Sequence, residues 1–188
     1  DEWAGKLKVS ISFSNDDFEE VLNNVAIKGA EYYDKATNKW VDTGCNVSGR
    51  TCEWLIDSNF NKDVKIRVVN EDDNKGEESS EYVLRVDSIL PVCGSNDGNK
   101  TWAKTKTVRQ YCNDNLSRCS QGYFDMTYPT NKEKNKRVGS ISIFDNAGNE
   151  TSCPVDFYVD STPPSSCVAS MSSGGSSVSN GGKATSDI

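Results

Sequence analysis

FDNAGNETSCPVDFYVDSTPPSSC, residues 144–167, passes from an apolar strand residue through a Gly-containing turn into an alternating run, and then into a diproline. Cys153, Val155, Phe157 and Val159 share one parity while Pro154, Asp156 and Tyr158 share the other, the pattern of a strand with one buried face. Asp145, Asn146, Gly148 and Asn149 tolerate positive φ or hydrogen-bond their own backbone, which a turn between antiparallel strands requires. Proline after Val-Asp-Ser ends the ladder and stiffens the exit. The stretch reads as the last hairpin of one β unit and the hinge into another, with Cys153, Val155, Phe157 and Val159 inward.

The chain carries the same pattern earlier. SSEYVLRVDSILPVC (79–93) overlays TSCPVDFYVDSTPPSSC (151–167), setting Tyr82, Leu84 and Val86 on Val155, Phe157 and Val159, and Asp87 on Asp160. WAGKLKVSISFSND (3–16) overlays WAKTKTVRQYCND (102–114), and in the first of these Leu7, Val9, Ile11 and Phe13 line one strand face. DVKIRVVN (63–70) overlays RVGSISIFD (137–145), matching Ile66 and Val68 with Ile141 and Ile143, each followed by an Asn/Asp-rich turn with a Gly, Gly76 and Gly148. Three matches in one order imply two copies of an all-β unit. Residues 1–88 form the first, residues 89–162 the second, and residues 163–188 either open a third or form a Ser/Gly-rich linker. Trp3 to Asp87 spans 84 positions and Trp102 to Asp160 spans 58. The first copy therefore has an extended central region, read as two or three extra strands among 25–33, 39–43 and 51–57, and it lacks a counterpart of ILPVCGSNDGNK.

Composition bounds the rest. Of 188 residues 35% are hydrophobic, which suits small sandwiches rather than one large core. A net charge of −7 argues against nucleic acid or an anionic membrane as partner, and no apolar run is long enough for a membrane span. The chain has seven cysteines and no histidine, and no CxxC pair, so disulfides in an oxidising compartment are expected rather than a zinc or redox site. Without histidine there is no Ser-His-Asp or Cys-His arrangement, the acidic runs NDDFEE and NEDDNKGEE read as solvated turns, and neither an enzyme activity nor a cofactor is expected. Asp145, Asn146, Asn149 and Asp160 offer oxygen ligands of the calcium type, without a recognisable loop.

The strand ending in Asp-x-x-Gly-Asn-x-Ser/Thr, the alternating strand and the Val-Asp-Ser/Thr-x-Pro exit resemble the tandem immunoglobulin-like repeats of bacterial and phage surface proteins. The motif stands here as FDNAGNETSCPVDFYVDSTPP; the first copy departs from it at Asn70 and Gly76. The resemblance implies tandem immunoglobulin-like β-sandwich domains and a disulfide framework. Cys45 and Cys52, alone in the first copy, pair around NVSGRT. In such a sandwich first and last strands run side by side in parallel, which favours Cys93 with Cys153 and Cys112 with Cys119; Cys93–Cys112 with Cys119–Cys153 is the alternative. Cys167 takes the place of Cys93 in a following unit and is expected to be unpaired.

The resemblance further implies a non-catalytic array on a cell or virion surface, a stalk or spacer of an adhesin or phage fibre that presents a host- or cell-recognition region. Its partners would be neighbouring repeats of the same chain, with no nucleic acid and no direct membrane insertion. The alternative is a module in which Tyr32, Tyr33, Trp40 and Trp54 of the extended first copy contact a glycan or host surface protein. A contiguous exposed aromatic patch over residues 28–57 would favour that alternative.

Overall fold

In a computed structural model, residues 2–12, 27–129, 136–166, 168, 170–173 and 176–178 are described, the last two stretches as backbone. All regular structure among them is β, and no helix is long and apolar enough to cross a membrane. The fold is all-β and disulfide-stapled, with immunoglobulin-like sandwiches built around separate cores. Phe13, part of the 25–33 strand and Cys167 lie outside the described residues.

The first sandwich contains β1 (Leu7–Ser12), β2 (Ile27–Asp34), β3 (Lys39–Asp42), β4 (Asn46–Ser48), β5 (Thr51–Ile56), β6 (Phe60–Val64), β7 (Ile66–Asn70) and β8 (Tyr82–Val86). One sheet runs β1-β5-β4. The other runs β3-β2-β7, and β6, separated from β7 by Lys65 alone, pairs with β8. Alternation in β1 and β5 sends Leu7, Val9, Ile11, Trp54 and Ile56 into one core with Ala30, Val64, Ile66, Leu84 and Val86.

The second sandwich contains β9 (Val92–Asn96), β10 (Trp102–Ala103), β11 (Lys106–Asn113), β12 (Tyr123–Tyr128), β13 (Lys136–Phe144) and β14 (Glu150–Val159). Its sheets run β12-β11-β9 and β10-β14-β13. Cys153, Val155, Phe157 and Val159 are all buried, the faces read from the sequence. A backbone hairpin, β15 (Met171–Ser173) with β16 (Ser176–Val178), follows.

The two sandwiches share their frame. Ala4 bridges Val86 in parallel, as Ala103 pairs with Val159, and the next amide closes each bridge: Asp87 donates to Ala4 O and Asp160 to Ala103 O, both at 3.0 Å. The Trp-Ala and Val-Asp dipeptides thus form a parallel clamp in both. The turns match too. Asn70 accepts from the Asn74 amide on its side-chain oxygen at 2.8 Å, and Asp145 accepts from the Asn149 amide at 2.8 Å. The left-handed position held by Gly148 (φ 85°) falls to Asp73 (φ 64°) in the first sandwich, not to a glycine. Gly76 lies beyond the turn, and a short polar side chain replaces the glycine because Asp tolerates this region.

Three further expectations shift. The strand at 51–57 is not extra: β5 pairs with β1 as β12 pairs with β11, so the additions are β2, β3 and β4. The match of Val68 with Ile143 does not extend to burial: Ile143 is buried, whereas Val68 is half-buried and Val69 and Asn70 are buried in its place. A register shift between Ile27 and Gly29 on the partner strand accompanies this difference. Lastly, Cys93 bonds Cys153, but not between parallel neighbours. β9 lies antiparallel to β11, with Cys93 opposite Cys112, and the bridge crosses from one sheet to the other. The parallel neighbour of β14 is β10.

Gly139 shows how tightly the second core closes. A Cβ there would lie 2.4 Å from Phe157 Cε1 and 2.8 Å from Tyr128 Oη, two buried rings whose centroids are 4.1 Å apart. Gly139→Ala is expected to cost about 1–3 kcal/mol through overpacking. Urea unfolding measures it, and a change within about 0.5 kcal/mol, the range of an ordinary surface substitution, would contradict this packing.

On the outer face of the first sandwich, Glu31 accepts from Arg67 Nη2 at 2.8 Å and Lys75 Nζ at 3.1 Å. Partial burial pushes its carboxyl up, but the bonds from Arg67 and Lys75 outweigh this and hold it below the usual carboxylate range. A depressed folded-state value means that the contribution is present at neutral pH and lost as pH falls through that value. Glu31→Gln should therefore lower stability by about 1 kcal/mol at pH 7. The gap should close in strong acid; thermal melts across pH check it, and a pH-independent gap would refute the sign.

Candidate functional site

The residues that meet between the sandwiches come from three separated segments. Asp87 ends the clamp of the first sandwich, Asp114 opens the loop closed by Cys112–Cys119, and Asp145 begins the turn before β14. Their carboxylate oxygens all lie within 4.8 Å of one another. Asp87 is fully buried and Asp145 is 2% exposed.

The Cys112–Cys119 loop replaces β2, β3 and β4 of the first sandwich, so it can lean on the turn. Cys119 bridges Asp145, the Ser120 amide donates to Phe144 O at 2.9 Å and the Asn146 amide donates to Arg118 O at 2.9 Å. Ser117 then reaches the first sandwich, its amide donating to Asp87 Oδ2 at 3.0 Å, while Asn146 Nδ2 donates to Ser117 O at 2.8 Å. Asn149 completes the joint by donating from Nδ2 to Asp87 O at 2.8 Å and Ile89 O at 3.1 Å. Trp3 and Glu2 of the first sandwich face Leu116, Ser117, Arg118 and Asn146 across a cleft beside this joint.

Among the described residues, the donors to the three carboxylates are neutral. Asp87 accepts from the Ile89 and Ser117 amides, Asp114 from those of Leu116 and Arg118, and Asp145 from the Asn149 amide and side chain. Among the described residues, none of the ion pairs includes Asp87, Asp114 or Asp145. At this separation two full charges repel by roughly 3–4 kcal/mol for an effective dielectric constant near 20. The oxygen set suits a hard divalent cation, whose positive charge would turn that repulsion into attraction.

The calcium-type set read from the sequence, Asp145, Asn146, Asn149 and Asp160, is therefore not brought together as such. Asp160 follows the far end of β14 from Asp145, and Asp87, its counterpart in the first sandwich, stands at the joint. Of the two carboxylates that the sequence reading missed, Asp87 and Asp114, only the first carried a signal, the Val-Asp-Ser exit before proline.

The candidate aromatics divide by strand parity. Tyr32 and Trp54 stack at 5.1 Å inside the first core, with Phe60 edge-on to both, and Trp54 is 6% exposed; these rings are closed to a ligand. Tyr33 and Trp40 lie on the outer face, half-buried, with the Arg67 guanidinium 4.0 Å over the Trp40 ring. The four do not form one patch. Another aromatic pair lies elsewhere, the exposed Trp102 against the half-buried Tyr158, with Arg137 within 6 Å of both rings.

No family model and no curated protein matches this chain. Among solved structures it is similar to the fibronectin(III)-like modules of Clostridium thermocellum CbhA, with 14% identity over 85% of this chain and 88% of that one, and a TM-score of 0.37. The immunoglobulin-like assignment stands on the strand pairing described above.

Proposed function

We propose that the chain is a non-catalytic spacer built from successive immunoglobulin-like units, residues 1–88 and 89–162, with residues 163–188 opening a third. It works outside the cell, on a cell or virion surface, where its disulfides persist, and holds a recognition region away from its base. Its immediate partners are neighbouring units of the same chain.

One comparison carries this reading. Asp87 at the end of the first sandwich is fully buried and accepts from the Ser117 amide of the second, and Trp3 beside it is half-buried, whereas their counterparts Asp160 and Trp102 are exposed, Trp102 at 50%. The backbone at both ends is the same: the Ile89 amide donates to Asp87 Oδ1 at 2.9 Å, and the Thr162 amide to Asp160 Oδ1 at 3.0 Å. The second unit therefore ends in the surface on which, one unit earlier, a neighbour sits. Attaching residues 88–162 after Asp160, with Trp102→Phe in the added copy, should protect the remaining Trp102 from hydroxyl-radical oxidation. Unchanged oxidation would count against the array.

The rival reading, a glycan- or protein-binding first unit, has the half-buried Tyr33–Trp40 pair for support. Binding of residues 1–88 to a glycan array that disappears in Trp40→Ala would establish it in place of a pure spacer.

A further inference from the structure

We propose that Asp87, Asp114 and Asp145 form a binding site for a divalent cation of the calcium class, which locks the two sandwiches together. The inference does not rest on reading the chain as an array, since all three carboxylates and both sandwiches are within it. Two observations point to the ion independently. Three carboxylates meet within 4.8 Å, two of them buried, and no ion pair of the described residues involves them.

The second observation is Ser117. It is 2% exposed, and its Oγ has no hydrogen-bond partner among the described residues. Its main chain is tied to the cluster on every side: its amide donates to Asp87, its carbonyl accepts from Asn146 in the turn of Asp145, and the next amide donates to Asp114. The hydroxyl is thus sealed among the segments that bear the carboxylates. A buried hydroxyl left without a partner, on a segment whose amides bond two of the three acidic residues, is the kind of group that an ion or its bound water satisfies.

The class of ion follows from the ligands. They are hard oxygens, with no nitrogen or sulfur donor among them, which disfavours zinc and copper. They come from a linker, a loop and a turn rather than one rigid octahedral frame, and the irregular coordination that this allows is calcium's rather than magnesium's. The Cys112–Cys119 bridge fixes the loop that supplies Asp114 and Ser117, so the site is partly shaped before the ion arrives.

The test uses the whole chain and calcium chloride. At about 100 times its dissociation constant, calcium should raise the melting temperature by roughly 5–10 °C over EDTA. Sodium chloride at equal ionic strength should not. Asp114→Asn is the decisive variant, because Asp114 is only half-buried and the amide keeps its shape. Without calcium it relieves repulsion and should melt at or above the parent temperature; with calcium it should melt below, its affinity reduced roughly tenfold or more. Terbium luminescence excited through tryptophan gives the same affinity order. No calcium-dependent shift, an equal shift with sodium chloride, or an Asp114→Asn effect of the same sign and size with and without calcium would each overturn the proposal.

Discussion

Replacing Cys93 and Cys153 together by alanine is expected to cost the second sandwich about 4 kcal/mol, nearly twice the loss from removing Cys112 and Cys119. The difference comes from loop length. The first pair closes 60 residues and the second closes 7, and the entropy removed from the unfolded chain is worth about 4 kcal/mol for the long loop and about 2.4 kcal/mol for the short one. The long bridge also crosses between the sheets, beside Ile143 and Phe124, so alanine leaves a void in the core as well. For a unit of this size the loss corresponds to a fall of more than about 15 °C in melting temperature. Calorimetry of the two double variants decides it. Equal losses would mean that the bridge does not span the sandwich as described.

Trp54→Ala should produce a comparable loss confined to the first sandwich. Its ring stacks on Tyr32 with an interplanar angle of 13° and receives Phe60 edge-on, and Leu7, Val9 and Ile11 pack around the same core. Removing a buried ring of this size costs about 3–5 kcal/mol, most of it from a cavity the β frame cannot collapse to fill. Trp40→Ala, on the outer face under Arg67, should cost about 1 kcal/mol or less. Residue-resolved hydrogen exchange separates the cores: protection should fall in β5 and β8 and persist in β13 and β14. A uniform fall across both sandwiches would show that the cores are not separate.

Much of the frame was legible because it rests on period and order. Alternation assigned the inward face of β14 residue by residue, and the Trp-Ala and Val-Asp dipeptides marked strands that pair in parallel in both sandwiches. Period alone does not name a strand's neighbour. The resemblance puts Cys93 beside β14 although its strand lies against β11, and the alternating pattern leaves open whether the strand at 51–57 is one of the additions or the partner of β1. Nor does it decide between glycine and aspartate at a left-handed position, so Gly76 draws the turn that Asp73 makes.

The joint was the least legible part. Asp87, Asp114 and Asp145 are 27 and 31 positions apart, and only a loop shortened by the loss of β2, β3 and β4 brings Asp114 between the other two. Asp160 drew attention because it lies in the opening motif. Its partner in the other sandwich, Asp87, is the residue whose environment is built. The aromatic candidates separated for the simplest reason: Tyr32 and Tyr33 are adjacent in one strand and so face opposite ways.

For the chain to act as a spacer, the joint of Asp87, Ser117, Asn146 and Asn149 must hold the two sandwiches in one orientation. Residual dipolar couplings of backbone amides, measured on the full chain in 1 mM calcium, test it directly. Couplings from residues 2–88 and from residues 89–162 should fit a single alignment tensor, with the same magnitude and axes from either set. Two tensors of different magnitude would mean that the sandwiches move independently, and the account of a stiff joint would be wrong.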